Sequence, residues 1–214
     1  MHKDKWTTAM GAIRSIHSGQ TVMIGGFGGT GTAHNLIDAL LQTDIHDLTV
    51  ICNDGGFPTK GIGKWIADRR VRTLIATHVG NNPLVTDQVN EGFLTLQLHP
   101  QGIFAEKIRA GGAGLLGILV EERWATPGAT FVHELGGYFE HSLTADVALI
   151  GAQTADNAGN LVYLQTERNH NPMMAMAAHT SIAEVRVHES NMLDPEQIIT
   201  PGCWIQQLVL RGDH

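Results

Sequence analysis

Apolar residues in the first half of the chain follow two alternating rhythms. Ala9, Ile13 and Ile16 share one side of a helical wheel, which predicts a helix over 7–17 that stops at Ser18-Gly19. Residues 21–24 form a short apolar strand that runs into Gly25-Gly26-Phe27-Gly28-Gly29-Thr30-Gly31. Beyond that loop Ala33, Leu36, Ile37, Leu40 and Leu41 recur at the spacing of an amphipathic helix, with Thr32 as the expected N-cap. Residues 48–52 are apolar apart from Thr49, the pattern of a strand buried on both faces in a parallel sheet.

The alternation continues with a turn over 53–57, a helix over 62–66 and a strand over 71–76 that ends at Thr77-His78. A helix follows Pro83, and residues 94–98 form a strand with one polar face. His99-Pro100-Gln101-Gly102 then leads into a helix over 103–109. Repeated strand, loop and helix predict βαβ units, hence an α/β fold with an open, mostly parallel sheet flanked by helices. The second half is richer in strand, at 147–150, 161–164, 182–187 and 204–210, with a helix over 173–178. Residues 115–141 keep no period and read as an insertion or an excursion over one edge. No internal repeat, low-complexity tract or linker is evident, so one domain over 1–214 is expected.

Composition narrows the function. Hydrophobic residues make up 43% of the 214 and charged residues 16%, enough apolar mass for a core and too little charge for a disordered chain. Fourteen basic against 21 acidic residues give a net charge of −7, which argues against nucleic acid and against a polybasic membrane patch. No apolar run reaches the roughly 18 residues that span a bilayer, and the polar residues 1–8 do not read as a secretory leader. Cys52 and Cys203 form no Cys-x-x-Cys pair and read as two core thiols in a reducing cytoplasm.

Several motifs carry candidate chemistry. Gly26, Gly28 and Gly31 match G-x-G-x-x-G between a strand and a helix, so a dinucleotide-binding oxidoreductase is one reading. The helix start would offer free amides to a phosphate or carboxylate, although Asp54 lies too far on for the usual ribose-binding acid. Asn53-Asp54 sits just past a strand end, where α/β sheets bind ligands, and is equally the sequence of an Asx turn. Gln101 has the same placement, as a neutral donor or as ordinary turn chemistry. Twelve histidines raise the question of metal, but His133-Glu134 is followed by Gly137 where a zincin needs histidine, so no metal is expected. No Gly-x-Ser-x-Gly elbow occurs, and Cys52 lies inside an apolar strand. The residues describe part of a site: many donors and no attacking group.

The glycine loop 25–31 resembles the signature of family I coenzyme A transferases, as do residues 48–53, Pro100-Gln101-Gly102 and residues 106–114. The same is true of residues 145–150, Ala155-Asp156 with Gly159-Asn160-Leu161, Arg168-Asn169 with Asn171-Pro172, and Thr200-Pro201-Gly202. These blocks follow the family's order over nearly the whole chain and are most similar to the A (α) subunit of two-subunit 3-oxoacid, acetate or butyrate–acetoacetate transferases. Ala33 stands where the family usually has proline and His170 where it has an aromatic, and its Thr-Pro-Thr-Gly-x-Gly-Thr loop is not visible.

The resemblance implies a ribose-phosphate-isomerase-like coenzyme A transferase fold in the cytoplasm, assembled with a B (β) subunit as an α2β2 hetero-oligomer. Coenzyme A is then a substrate, with no permanently bound cofactor, and the nucleophilic glutamate belongs to the partner. Gln101 and Asn53 are the implied donors to acyl or oxyanion oxygens. Residues 25–31 would bring backbone N–H groups to acyl-CoA, and Phe27 would wall the acyl pocket or be plain core. Arg109, with Glu106 three residues before it, is an interface candidate. A non-enzymatic ligand sensor on a related fold is the other alternative.

Overall fold

The computed structural model describes residues 5–212, and its elements follow from how these segments bury their apolar faces. Residues 1–4, the start of the polar segment expected to carry no leader, and 213–214 lie outside the described residues. Strand β1 (Trp6–Thr7) leads into α1 (Ala9–Ala12), which continues as a 3-10 turn over Ile13–Ser15. Thr8 caps α1 by accepting from Gly11 N at 3.0 Å. The helix expected over 7–17 is therefore shorter at both ends, because Thr7 pairs with the last strand and Ile16 is already extended.

There follow β2 (Thr21–Ile24), α2 (His34–Leu40), β3 (Leu48–Cys52), α3 (Gly63–Ala67), β4 (Val71–Ala76), α4 (Pro83–Asn90), β5 (Thr95–Leu98) and α5 (Gln101–Gly112). Next come β6 (Gly117–Val120), β7 (Thr130–Val132), β8 (Gly137–His141), β9 (Ala145–Asp156), β10 (Leu161–Val162), α6 (Asn171–Met176), β11 (Ala178–Glu189) and β12 (Gln207–Leu210). The main sheet runs β1-β12-β11-β9-β2-β3-β4-β5 with every neighbouring pair parallel; β10 alone lies antiparallel, on β9.

Alternate residues of a strand face opposite sides, and here both sides are covered. Val22, Ile24, Val50, Leu74 and Leu149 pack with Leu36 of α2, Trp65 of α3 and Val85 of α4. Met23, Ile51, Ile75 and Ile150 pack on the other face with Phe104 and Ile108 of α5 and Met174 of α6. Unbroken apolar strands are the consequence of this double cover.

Several boundaries differ from expectation. α5 starts at Gln101 and runs to Gly112. α6 starts at Asn171, and Ala178 already belongs to β11. β9 and β11 are 12 residues each because they pair along their whole length. The strand at Leu161 ends at Val162, and Trp204 sits in a 3-10 turn before β12. Cys203 is exposed, not a core thiol.

Residues 115–141 are built around short strands, with a 3-10 turn at Glu122–Trp124. They form a separate antiparallel sheet, β6-β8-β7, whose strands of three to five residues are too short to show a period. A buried ion pair ties it to α5: Lys107 Nζ donates to Glu140 Oε2 at 2.7 Å, and Glu140 also accepts from Thr126 N and Thr126 Oγ1.

The chain steps outward from β2 to β5, then returns to lay β9 against the other side of β2. The strand order reverses there, and crevices beyond the carboxyl ends of strands at such a reversal are where open α/β sheets bind ligands.

Candidate functional site

Two matched hairpins rim a cleft at this edge. After β2 the chain reads Gly25-Gly26-Phe27, then three residues, then Gly31; after β3 it reads Gly55-Gly56-Phe57, three residues, then Gly61. Each hairpin closes through an antiparallel bridge, Phe27 with Thr30 and Phe57 with Lys60. Gly28 and Gly29 have φ of 56° and 89°, the left-handed pair that a two-residue hairpin turn requires. Phe27 is 54% exposed and Phe57 46%, so Phe27 is not core. Gly25, Gly26, Asn53, Asp54, Phe57 and Lys60 are among the cleft's lining. This short repetition contradicts the expectation of a chain without internal repeat. It was legible in the sequence, but it rests on four matching positions of seven per loop.

The loop 25–31 is held from beneath. Asn169 Oδ1 accepts from Gly26 N at 3.2 Å, and Asn169 Nδ2 donates to Thr30 O at 3.1 Å. Asn171, fully buried at the start of α6, donates from Nδ2 to Gly31 O at 2.9 Å and accepts at Oδ1 from Gly151 N at 3.0 Å. A Cβ at position 25 would collide with Asn171 Oδ1, so the loop reaches this depth because Gly25 has none. Gly25, Gly26, Phe27, Gly28 and Thr30 all spend their N–H groups inside the chain. Of the remaining two, Gly31 is buried and Gly29 is half-buried.

The helix after this loop does not offer the anion site expected of it. Ala33, not Thr32, is the N-cap of α2 and makes no side-chain cap bond. The buried Glu184 of β11 takes that role, accepting from Leu36 N at 3.0 Å while Arg211 Nε donates to it at 2.6 Å. A carboxylate from the chain thus occupies the place where a dinucleotide phosphate would sit.

Gln101 and Asn53 are brought into contact although 48 residues apart. Asn53 stands one residue past β3, Thr77 one residue past β4, and Gln101 opens α5 after β5. Gln101 Nε2 donates to Asn53 Oδ1 at 2.8 Å. Thr77 Oγ1 lies 2.8 Å from Asn53 O and 3.0 Å from Gln101 Oε1, sharing its single hydrogen between them. Asn53 Nδ2 donates to Asp54 Oδ2 at 2.9 Å. Asp54 also accepts from Gly28 N at 2.9 Å and from Gly56 N at 3.0 Å, which makes it both an Asx turn and the tie between the hairpins. Asn53 is buried and Gln101 exposed. Gln101 Nε2 also faces the ring Nε2 of the buried His170 at 3.4 Å.

The site is thus a chain of neutral amides anchored on one carboxylate. Sequence reading missed Thr77 and His170, which depend on strand order and on where α6 begins. His170 packs against the edge of Phe104 at 5.5 Å, and burial holds its pKa below the usual histidine value, with the nearby Asp54 pulling the other way. Burial pushes the Cys52 thiol up, as expected of an inert sulfur. Arg109 donates to Glu106 at 2.7 Å on an exposed helix face. Among the described residues no group of three metal-capable side chains could hold an ion, and no helix is long and apolar enough to cross a membrane.

A sequence model of the family described as Coenzyme A transferase matches residues 7–211. A Bacillus subtilis protein named probable coenzyme A transferase subunit alpha is 46% identical over 205 residues, covering 92% of this chain and 90% of its own length. The acetoacetyl-CoA:acetate/butyrate CoA transferase alpha subunit of Clostridium acetobutylicum is 42% identical over 197 residues, covering 89% and 90%. A crystal structure of an acyl-CoA transferase from Escherichia coli O157:H7, a thioester complex with CoA, aligns with a TM-score of 0.83 at 20% identity. That alignment covers 98% of this chain and 50% of the other, and at such identity the likeness is one of fold.

Proposed function

This chain belongs to the coenzyme A transferase family, and from that premise we propose that it is the A subunit of a transferase moving CoA between a short-chain acyl-CoA and a carboxylate such as acetate, butyrate or acetoacetate. It works as a single domain with a B subunit in an α2β2 assembly in the cytoplasm, with CoA as substrate and no permanently bound cofactor. A glutamate of the B subunit attacks the acyl-CoA carbonyl, the C–S bond breaks, and the products are a mixed anhydride and CoA thiolate. The thiolate attacks the glutamyl carbonyl, releasing the acyl group as its carboxylate and leaving a glutamyl-CoA thioester. The acceptor carboxylate runs the same steps in reverse.

A carboxylate is a weak nucleophile toward a thioester, so the tetrahedral oxyanion needs donors fixed in advance. Removing one such donor typically costs about 2.7–4 kcal/mol of barrier. Neutral amides suit this role, because a cation in the same place would pair with the attacking glutamate and blunt it. The observation that carries the reading is the amide chain itself. Gln101 is exposed at the strand-end crevice, its orientation held by Asn53 and Thr77, while the carboxylate of the site, Asp54, is occupied by Asn53 Nδ2, Gly28 N and Gly56 N. Gly29 N and the exposed Phe27 and Phe57 rings are the further groups that this reading assigns to acyl-CoA.

Co-expression with a glutamate-bearing B subunit, followed by CoA exchange between acetyl-CoA and a panel of carboxylates, tests this directly. Neither chain is expected to turn over alone, and the pair is. A covalent adduct on this chain, or activity without the partner, would overturn the reading.

A further inference from the structure

The amide chain has a direction, and its far end is a residue that the proposed chemistry leaves unused. A carboxylate offers only lone pairs, so Asp54 Oδ2 obliges Asn53 to turn its NH2 toward it. Asn53 Oδ1 then faces Gln101, which must answer with its own NH2 at 2.8 Å. Reversing either amide would set two oxygens against each other at one of these contacts. One hydrogen of Gln101 Nε2 is therefore spent on Asn53, and the other faces His170 Nε2 at 3.4 Å.

Only one form of the ring fits that contact. Nε2 must present a lone pair, which puts the imidazole proton on Nδ1. His170 is 6% exposed, and its Nδ1 has no hydrogen-bond partner among the described residues. A buried N–H without an acceptor is costly, so nothing at Nδ1 favours this tautomer; the contact at the other nitrogen selects it. The ring is fixed by burial and by the edge of Phe104 at 5.5 Å.

We infer that His170 is a positioning residue: its bare Nε2 holds the second hydrogen of Gln101 in readiness until a substrate oxygen takes that hydrogen over. At 3.4 Å the bond is long and easily exchanged for a shorter one. Gln101 need not rotate to make the exchange, because Asn53 and Thr77 hold the rest of its amide at 2.8 Å and 3.0 Å. The inference rests on the reading of Gln101 as the acyl-oxygen donor.

The test uses the assembled pair with His170→Phe, which keeps an aromatic ring against Phe104, and His170→Gln, whose amide oxygen can stand in for Nε2. The Phe variant is expected to lose about tenfold in kcat, the cost of a donor held loosely, with KM for acyl-CoA and for the acid unchanged. The Gln variant should recover most of that loss. A long-range proton–nitrogen spectrum of the pair labelled at histidine should show His170 as the Nδ1–H tautomer, assigned by its absence from the Gln variant. Wild-type kcat in the Phe variant, or an Nε2–H pattern for His170, would overturn the inference. If the Phe variant fails to fold, the Gln variant and the spectrum decide. A wild-type pair that exchanges no CoA would instead sink the proposed function, and the spectrum would still report the tautomer.

Discussion

Replacing Lys107 by Met should loosen the small sheet from the main body and do so with a pH dependence that identifies the cause. The Lys107 and Glu140 side chains are 7% and 2% exposed, so neither charge is met by water. Met keeps the aliphatic stem and removes the ammonium. Breaking a buried pair from one side typically costs about 3–5 kcal/mol. The two Thr126 bonds to Glu140 survive at 2.5 Å and 2.8 Å, which points to the lower end. At roughly 2–4 °C per kcal/mol for a chain of this size, the melting temperature should fall by about 6–12 °C at pH 7. In the native chain burial pushes the Glu140 carboxyl up, but the bonds from Lys107 and Thr126 and the Lys107 charge outweigh it and hold it below 4.5. Its contribution is therefore fully present above 4.5 and is lost as pH falls through the lowered native value. Without Lys107 only the Thr126 bonds oppose burial, so the folded carboxyl titrates higher than in the native chain and acid costs the variant less. Thermal melts from pH 7 to pH 4 should show the gap between the two proteins narrowing. A loss under about 2 °C at pH 7, or a gap that widens in acid, would refute the reasoning. Lys107→Met with Glu140→Gln should recover part of the loss.

Gln101→Ala in the assembled pair should cut turnover at least about tenfold while gel filtration shows assembly intact; unchanged turnover would remove Gln101 from the site. Burial pushes His99 down to about 4, with the Lys107 charge adding to the effect and Glu140 opposing it. The unfolded chain takes up that proton near 6.5, so native stability should decline by roughly 3 kcal/mol as pH falls from 6.5 to 4. His99→Asn should flatten that part of a urea-denaturation profile, and an unaltered slope would exclude His99 as its source. Gly25→Ala must displace Asn171 from Gly31 and Gly151 and should cost about 1–3 kcal/mol by urea denaturation; a neutral result would mean the loop yields freely.

β2, β3 and β4 were legible to the residue because each ends in an apolar stretch covered on both faces and is stopped by Gly25, Asn53 or Thr77, although Arg72 and Thr73 interrupt the start of β4. β9 and β11 were underestimated because Gln153, Asp156 and His188 break the apolar pattern while the backbone pairing continues. The cap of α2 was unreadable for a different reason: Glu184 arrives from 148 residues away, and no local signal marks it. Asn53 and Gln101 could each be singled out as residues past a strand end. That they touch follows from β3, β4 and β5 being adjacent, and that His170 completes the chain follows from where α6 lies. The residue types were in the sequence; the order in which they bond was not.

The two hairpins that carry Phe27 and Phe57 differ in stiffness. One turns through Gly28 and Gly29 at φ of 56° and 89°, a pair that can swing through much of backbone space. The other turns through Pro58, whose ring locks its first dihedral. The mouth between them therefore behaves like a door hung on one side. Under the proposed function the Phe27 side would be the one to give way, so tolerance for bulkier acids would be set by how firmly Asp54 and Asn169 latch it, and selection for a wider diet would act there first.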